Sequence, residues 1–317
     1  MKAAIVQAAG QAPVYGDFAD PVAAPGQRRI RVSASSISQV TRSRASGRHY
    51  SADGAFPLVP GIDGTGVAED GSPVYFFMPP SPWGAMAEYC VVDAQRVIAL
   101  PPALDPVTAA AMTVPGMSSW AALVERAQLR QGETVLVNGA TGTSGRLALQ
   151  VARHLGASKV IATGRRSETF DELRRLGADQ TIGLTQPREA LEASFRAVFE
   201  QGVDVVLDYL WGPSAEMLVA AAARFGPEGV PIRYVQIGAA SGADINLPSA
   251  ALRSSALQLL GSGMGSIPLP RLIDAMRGVL TAAPSAGFEV ATAVRPLADV
   301  SRAWAEAGDD GRVVLVP

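Results

Sequence analysis

The chain has 317 residues, 48% of them hydrophobic and only 18% charged, with a net charge of −2. That length and apolar content suffice for two domains with separate cores, and a weakly acidic chain without a basic stripe excludes nucleic acid as a partner. Mean hydropathy is +0.18, yet no stretch of about 18 uninterrupted apolar residues occurs, so no membrane span is expected. The one cysteine, Cys90, excludes an internal disulfide and fits a reducing cytoplasm. The opening MKAAIVQAAG reads as a first strand and not as a signal peptide. Lysine stands only at Lys2 and Lys159 against abundant Arg and Ala, a skew that matches a GC-rich bacterial genome.

From its start to about residue 116 the chain is dense in Gly, Pro and short β-type runs, at 29–32 (RIRV), 66–68, 74–77 and 88–92. Short strands parted by turn signals predict an irregular barrel or sandwich. At about residue 117 the texture changes. Strands are expected at 134–137, 159–163, 180–182, 203–207 and 232–237, with helices at 144–155, 168–176, 188–201 and 214–224. This βαβα rhythm of Val- and Ile-rich strands predicts a parallel sheet covered on both faces. Beyond about residue 250 come a strand at 257–260, a helix at 269–280, a strand at 288–294, a helix at 297–307 and a closing strand at 312–316.

Residues 135–155 read VLVNGATGTSGRLALQVARHL. Leu147, Val151 and Leu155 recur every four residues beside Ala148 and Ala152, a narrow apolar helix face suited to lying close on a sheet. A strand therefore enters a helix N-terminus through Asn138, Gly139, Ala140, Thr141, Gly142, Thr143 and Ser144. Free backbone N–H groups and the positive end of the helix dipole point out of such a turn, and small residues let an anion approach the backbone. A phosphate, most simply a pyrophosphate, belongs there. The spacing of Gly139, Gly142 and Gly145 is G-x-x-G-x-x-G; the βαβ context gives it its meaning.

Dinucleotide folds usually carry an acidic residue at the end of the second strand, ~20 residues on, to hold the ribose hydroxyls. Here that stretch reads ATGRRSE, with Gly164 in the acid's place and Arg165 and Arg166 after it. Two guanidinium groups suit a 2′-phosphate, so NADP(H) is expected over NAD(H). Tyr209 and Leu210 end another expected strand and lie where an adenosine or nicotinamide ribose would. Gly238, Ala239 and Ser241 follow the next, where backbone contacts to a nicotinamide are expected. The segment 263–265 is a further candidate to close over it.

A catalytic zinc takes about three Cys, His or acidic ligands. The only His and Cys residues are His49, His154 and Cys90, so no metal site is expected, catalytic or structural. Neither lysine lies four residues after a tyrosine, which excludes the Tyr-x-x-x-Lys pair of short-chain dehydrogenases, and no G-x-S-x-G elbow follows a strand.

Together these features resemble the medium-chain dehydrogenase/reductase superfamily in its zinc-free quinone oxidoreductase branch. The resemblance covers essentially the whole chain, through MKAAIV, ASSISQVTRSRASG (34–47), VPGIDGTGVA (59–68), GETVLVNGATGTSG (132–145), VDVVLDYLWG (203–212), YVQIGAASG (234–242) and GRVVLVP (311–317). It implies a GroES-like catalytic domain, residues 1–116 and 252–317, with a Rossmann NADP(H)-binding domain, 117–251, inserted in it, and a homodimer. Zinc-dependent relatives have a Cys within the segment matching 34–47 and Gly-His-Glu where this chain has Gly61, Ile62 and Asp63. The quinone branch usually has Asn-x-x-Asp where Ser38 and Thr41 stand, a departure that touches substrate more than fold.

Without zinc, hydride delivery to an ordinary ketone leaves a poorly stabilised alkoxide. A quinone or an activated alkene spreads the charge instead. The expected activity is hydride transfer from NADPH to a quinone, the protein mainly positioning the reactants. An enone or enal reductase and a non-catalytic NADPH-binding redox sensor are the alternatives. Tyr50, by its match to a cleft tyrosine of related enzymes, and Ser38 are candidate proton donors, with His49 behind them. Tyr75, Phe76, Phe77 and Trp83 are candidates for an aromatic acceptor pocket, with core packing expected for at least half of them. The resemblance alone suggests that Arg312 reaches a cofactor phosphate.

Overall fold

The computed structural model describes residues 1–49, 54–306 and 311–317. The chain divides into two compact units, Met1–Val114 with Leu280–Pro317, and Pro115–Val279.

The first unit opens with an antiparallel pair, β1 (Lys2–Ile5) and β2 (Val14–Asp17). The RIRV run lies in β3 (Gln27–Ser36), where Ile30 and Val32 are buried and Arg31 is exposed, the period-2 alternation of a half-buried strand. A short helix, α1 (Gln39–Ala45), follows, and then β4 (Asp63–Ala68), β5 (Pro73–Phe77), β6 (Tyr89–Asp93) and β7 (Val97–Ala99). The chain leaves this unit through α2 (Pro106–Ala121). With the helical turn after it, α2 forms a run, Pro106–Arg126, long and apolar enough by composition to cross a membrane, and 67% of that run's apolar window is buried inside the protein. Sequence periodicity does not reveal this helix, because its few hydroxyl residues, Thr108, Thr113, Ser118 and Ser119, are spread round it and leave no amphipathic stripe.

In the second unit β8 (Thr134–Asn138), α3 (Thr143–His154), β9 (Lys159–Gly164), α4 (Phe170–Arg175) and β10 (Gln180–Gly183) form the first half. The second half is α5 (Arg188–Gln201), β11 (Val205–Asp208), α6 (Gly212–Phe225), β12 (Ile232–Gln236), α7 (Ser249–Arg253) and β13 (Leu257–Gly261). All six strands are parallel, in the order β10-β9-β8-β11-β12-β13. This is the doubly wound, Rossmann-like order, whose direction reverses between β8 and β11. One face packs Leu136, Ile161, Val206 and Tyr234 against Phe195, Phe199 and Leu218 of α5 and α6. Leu147 and Val151 of α3 are completely buried, as their spacing predicts.

The chain returns through α8 (Leu269–Ala286), β14 (Thr292–Pro296), α9 (Val300–Glu306) and β15 (Arg312–Val316). β15 inserts between β14 and β3, completing a mixed sheet in the order β14-β15-β3-β4-β5-β7, with β6 also paired to β3. Two expectations are corrected. The strand placed at 288–294 begins only at Thr292. The second unit does not close at 251: β13 pairs with β12 over five residues, and the unit runs from Pro115 to Val279.

Candidate functional site

Asn138, Thr163 and Asp208 are polar residues ending or nearly ending apolar strands, and all three are fully buried. Burial without partners would be costly, and each is bonded. Asn138 Nδ2 donates to Asp208 Oδ1 at 2.8 Å and to Ser214 Oγ at 3.0 Å, and Thr163 Oγ1 donates to Asn138 Oδ1 at 2.7 Å. Asp208 Oδ1 also accepts from the N–H groups of Leu210 and Trp211, and its Oδ2 from the Tyr234 hydroxyl at 2.8 Å. This lattice ties the carboxyl ends of β8, β9, β11 and β12 into one rigid rim. Asn138, expected to touch a cofactor, turns its side chain into the lattice and fixes the turn from beneath.

The glycine turn rises from that rim. Gly139 has φ +93°, a conformation glycine alone adopts without strain, and a Cβ there would lie 2.8 Å from Leu210 Cγ. A Cβ on Gly145 would lie 2.3 Å from the Gly139 carbonyl oxygen, so that glycine lets α3 sit on the turn. Gly142 differs: a Cβ would meet nothing within 4 Å, and no side chain caps the helix that starts there. The first-turn N–H groups of α3, including those of Thr143 and Ser144, thus form an uncapped helix N-terminus with open space before it. That is an anion cradle.

At the end of β9, a Cβ on Gly164 would lie 2.3 Å from Thr141 Cγ2, so Thr141 occupies the space an acidic side chain there would enter. Arg165 is exposed, while Arg166 is half-buried and donates from Nη2 to the Thr141 carbonyl at 3.0 Å. Gly238 approaches Tyr209 so closely that a Cβ would lie 2.6 Å from its carbonyl oxygen, and the N–H groups of Ala240 and Ser241 bond to the carbonyls of Tyr209 and Leu210. The Tyr209 hydroxyl lies 3.1 Å from Ser118 Oγ; burial pushes its pKa up to about 12, against hydrogen bonds to Ser118 and Ser119. Residues 138–144, 164–166, 209–210 and 238–239 therefore share one edge of the second unit, the carboxyl edge of its sheet.

In the first unit Ser38 is 4% exposed. Its Oγ accepts the Thr41 N–H at 2.9 Å and donates to Thr41 Oγ1 at 2.7 Å. A helix cap is what the geometry makes of Ser38, and its proton is already engaged. Tyr50 lies outside the described residues. Tyr75, Phe76 and Phe77 are at most 1% exposed and belong to the core, because they run along β5 between two neighbouring strands. Trp83 does line a cavity of about 50 Å³ with Thr41, Arg44, Ile62 and Met78. Ile62 makes that wall apolar. Met78 has φ +55°, a strained conformation of the kind that collects at functional sites.

Beside that wall Asp63 is fully buried. Tyr75 donates to its Oδ2 at 3.0 Å, and Oδ1 has no hydrogen-bond partner. Burial pushes its pKa up to about 7, against the pull of Arg312 and the Tyr75 hydrogen bond. Arg312 Nε donates to Ser36 Oγ at 3.3 Å, so within this unit the guanidinium is engaged with Ser36 and the field of Asp63. Cys90 is buried and burial pushes its thiol up. Among the described residues no three His, Cys, Asp or Glu side chains come together as metal ligands would.

Known proteins resemble this chain in sequence and fold. A family model described as zinc-binding dehydrogenase matches residues 145–281, a stretch with no Cys and a single His. The probable NADPH-dependent quinone reductase tdiC of Emericella nidulans is 33% identical over 347 residues, which span 96% of each chain. The solved quinone oxidoreductase of Thermus thermophilus is 28% identical with a TM-score of 0.82, both chains covered in full. A probable oxidoreductase from Mycobacterium abscessus is 27% identical with a TM-score of 0.80, over 100% of this chain and 99% of that one. The chain belongs to the medium-chain dehydrogenase/reductase superfamily, in its quinone reductase branch. It is an oxidoreductase.

Proposed function

We propose that this protein transfers hydride from NADPH to a quinone without zinc. The observation that carries the reading is the uncapped helix N-terminus at Gly142, with Arg166 bonded to the Thr141 carbonyl of the same turn and the exposed Arg165 next to it in the chain. Bound NADPH would supply the hydride. The turn from Gly139 to Ser144 would hold the pyrophosphate through backbone N–H groups, and the lattice of Asn138, Thr163 and Asp208 keeps those groups aimed. Arg165 and Arg166 would pair with the 2′-phosphate. The backbone at Tyr209, Leu210, Gly238 and Ala239 would flank the ribose and nicotinamide. In the first unit the cavity of Ile62, Met78 and Trp83 offers an apolar ring its walls, and Thr41 and Arg44 offer donors to a ring oxygen. Among the described residues that line it none is His, Cys, Asp or Glu, and Ile62 adds an apolar wall. An acceptor whose product spreads its own charge suits that wall. Tyr50 is the proposed proton donor, since the Ser38 hydroxyl is committed to Thr41. The single thiol, buried at Cys90, suits a reducing cytoplasm, and a homodimer completes the proposal.

The test is NADPH oxidation by purified protein with a simple ortho-quinone, chelator present and NADH run in parallel. Turnover that resists chelator and favours NADPH is the expected outcome. Turnover on enones alone would replace the quinone by an activated alkene. Tight NADPH binding with no turnover on any acceptor would make the protein a sensor.

A further inference from the structure

Arg146 stands four residues past Gly142, whose carbonyl accepts its N–H at 2.9 Å. Its guanidinium crosses to α4, where Nη2 lies 3.0 Å from Glu172 Oε2; the two side chains are 18% and 38% exposed. Its Nε is buried and makes no hydrogen bond. A guanidinium is a planar fork of five N–H groups that an anion with several oxygens satisfies best. A single carboxylate contact leaves this fork partly used. Across the same gap, Arg166 reaches the Thr141 carbonyl and Arg165 is exposed beside it. Arg146 on α3 reaches α4, and Arg166 on the turn before α4 reaches the turn before α3, so these two cations flank the same junction between the helices, with Arg165 next to Arg166 in the chain.

We propose that Arg146 is a third ligand for the 2′-phosphate of NADPH, held toward α4 by Glu172, and that Glu172 tempers the preference for NADPH over NADH. The inference rests on the reading that Arg165 and Arg166 receive that phosphate. A phosphate monoester brings three oxygens and a charge near −2, enough to engage terminal N–H groups of the guanidinium that the single Glu172 contact leaves unused. The Glu172 carboxylate competes for the same cation and repels the incoming anion. The two members of the ion pair therefore act with opposite sign.

Calorimetric titration of the intact protein with NADPH, NADH and 2′,5′-ADP tests this. Arg146→Met is expected to weaken NADPH and 2′,5′-ADP by about ten-fold or more and NADH by less than about two-fold, the loss of one charge-assisted contact. Glu172→Gln is expected to tighten NADPH and 2′,5′-ADP and leave NADH unchanged. An ion pair that only braces α3 against α4 predicts that both substitutions weaken all three ligands alike, or weaken none, and either result overturns the proposal. The double variant Arg165→Ala, Arg166→Ala tests the underlying reading. If the wild type does not prefer NADPH, or the double variant keeps the preference, that reading falls, and the role of Arg146 with it. If the double variant loses the preference and Arg146→Met keeps it, only the role of Arg146 falls.

Discussion

A carboxyl group buried as deeply as Asp63 links protonation to folding. Its pKa of about 7 stands above the unfolded value of about 3.9. Below about pH 4 both states hold the proton and there is no penalty. Between about pH 4 and 7 the unfolded chain has released it while the folded protein keeps it, so stability falls as pH rises. Above about pH 7 the loss is complete, at most about 4 kcal/mol for roughly three pKa units. Asp63→Asn keeps an acceptor for Tyr75 and removes the titration. Thermal melts from pH 5 to 8 should therefore show the variant gaining on the wild type as pH rises. A constant gap in Tm would mean that Asp63 does not titrate in that range.

The turn between β8 and α3 shows how one motif divides its labour. Gly139 and Gly145 are glycines for packing, Gly142 for access. Gly145→Ala drives a Cβ into backbone that has little room to move, and should cost about 1–3 kcal/mol of stability along with cofactor binding. Gly142→Ala enters open space at φ −82°, so stability should change by less than about 1 kcal/mol while NADPH affinity falls. Denaturant melts paired with NADPH titrations separate the two; equal stability losses would refute the division. The turn and α3 were legible in the sequence because Leu147, Val151 and Leu155 mark a helix face and the glycines punctuate its start. The lattice beneath was not read, although its signal was present: VLVN, IAT and VVLD are apolar strands that turn polar at or near their carboxyl ends. Helix α2 carried no such signal, because its few hydroxyl residues are spread round it.

Over the whole chain, the order of strands and helices in the second unit followed from hydrophobic period alone, and the family from a few motifs spread along the chain. The domain limit did not follow, because a strand on the far edge of a sheet looks in sequence like the first strand of whatever comes next. Leu257 of β13 is 7% exposed and belongs to the core that α5 and α6 cover, so cutting at 251 removes part of that core and bares the edge of β12. A fragment of residues 115–279 should show a cooperative melt and resist limited proteolysis, whereas 117–251 should be degraded or aggregate. If the shorter fragment melts as cooperatively, β13 is dispensable to the unit. In the first unit the sequence led one to expect at least half of Tyr75, Phe76, Phe77 and Trp83 in the core, and the first three are there, but an aromatic run in sequence does not say which of its members a neighbouring strand covers.

The contact of Thr141 with Gly164 has a consequence for how such a chain can diverge. An acidic residue at 164, the simplest route toward a cofactor without the extra phosphate, meets the Thr141 methyl before it meets a ribose. Thr141 must first turn aside or be replaced by a smaller residue. The two positions are coupled, so a side chain gained at 164 is accommodated only together with a change in the conformation or size of residue 141.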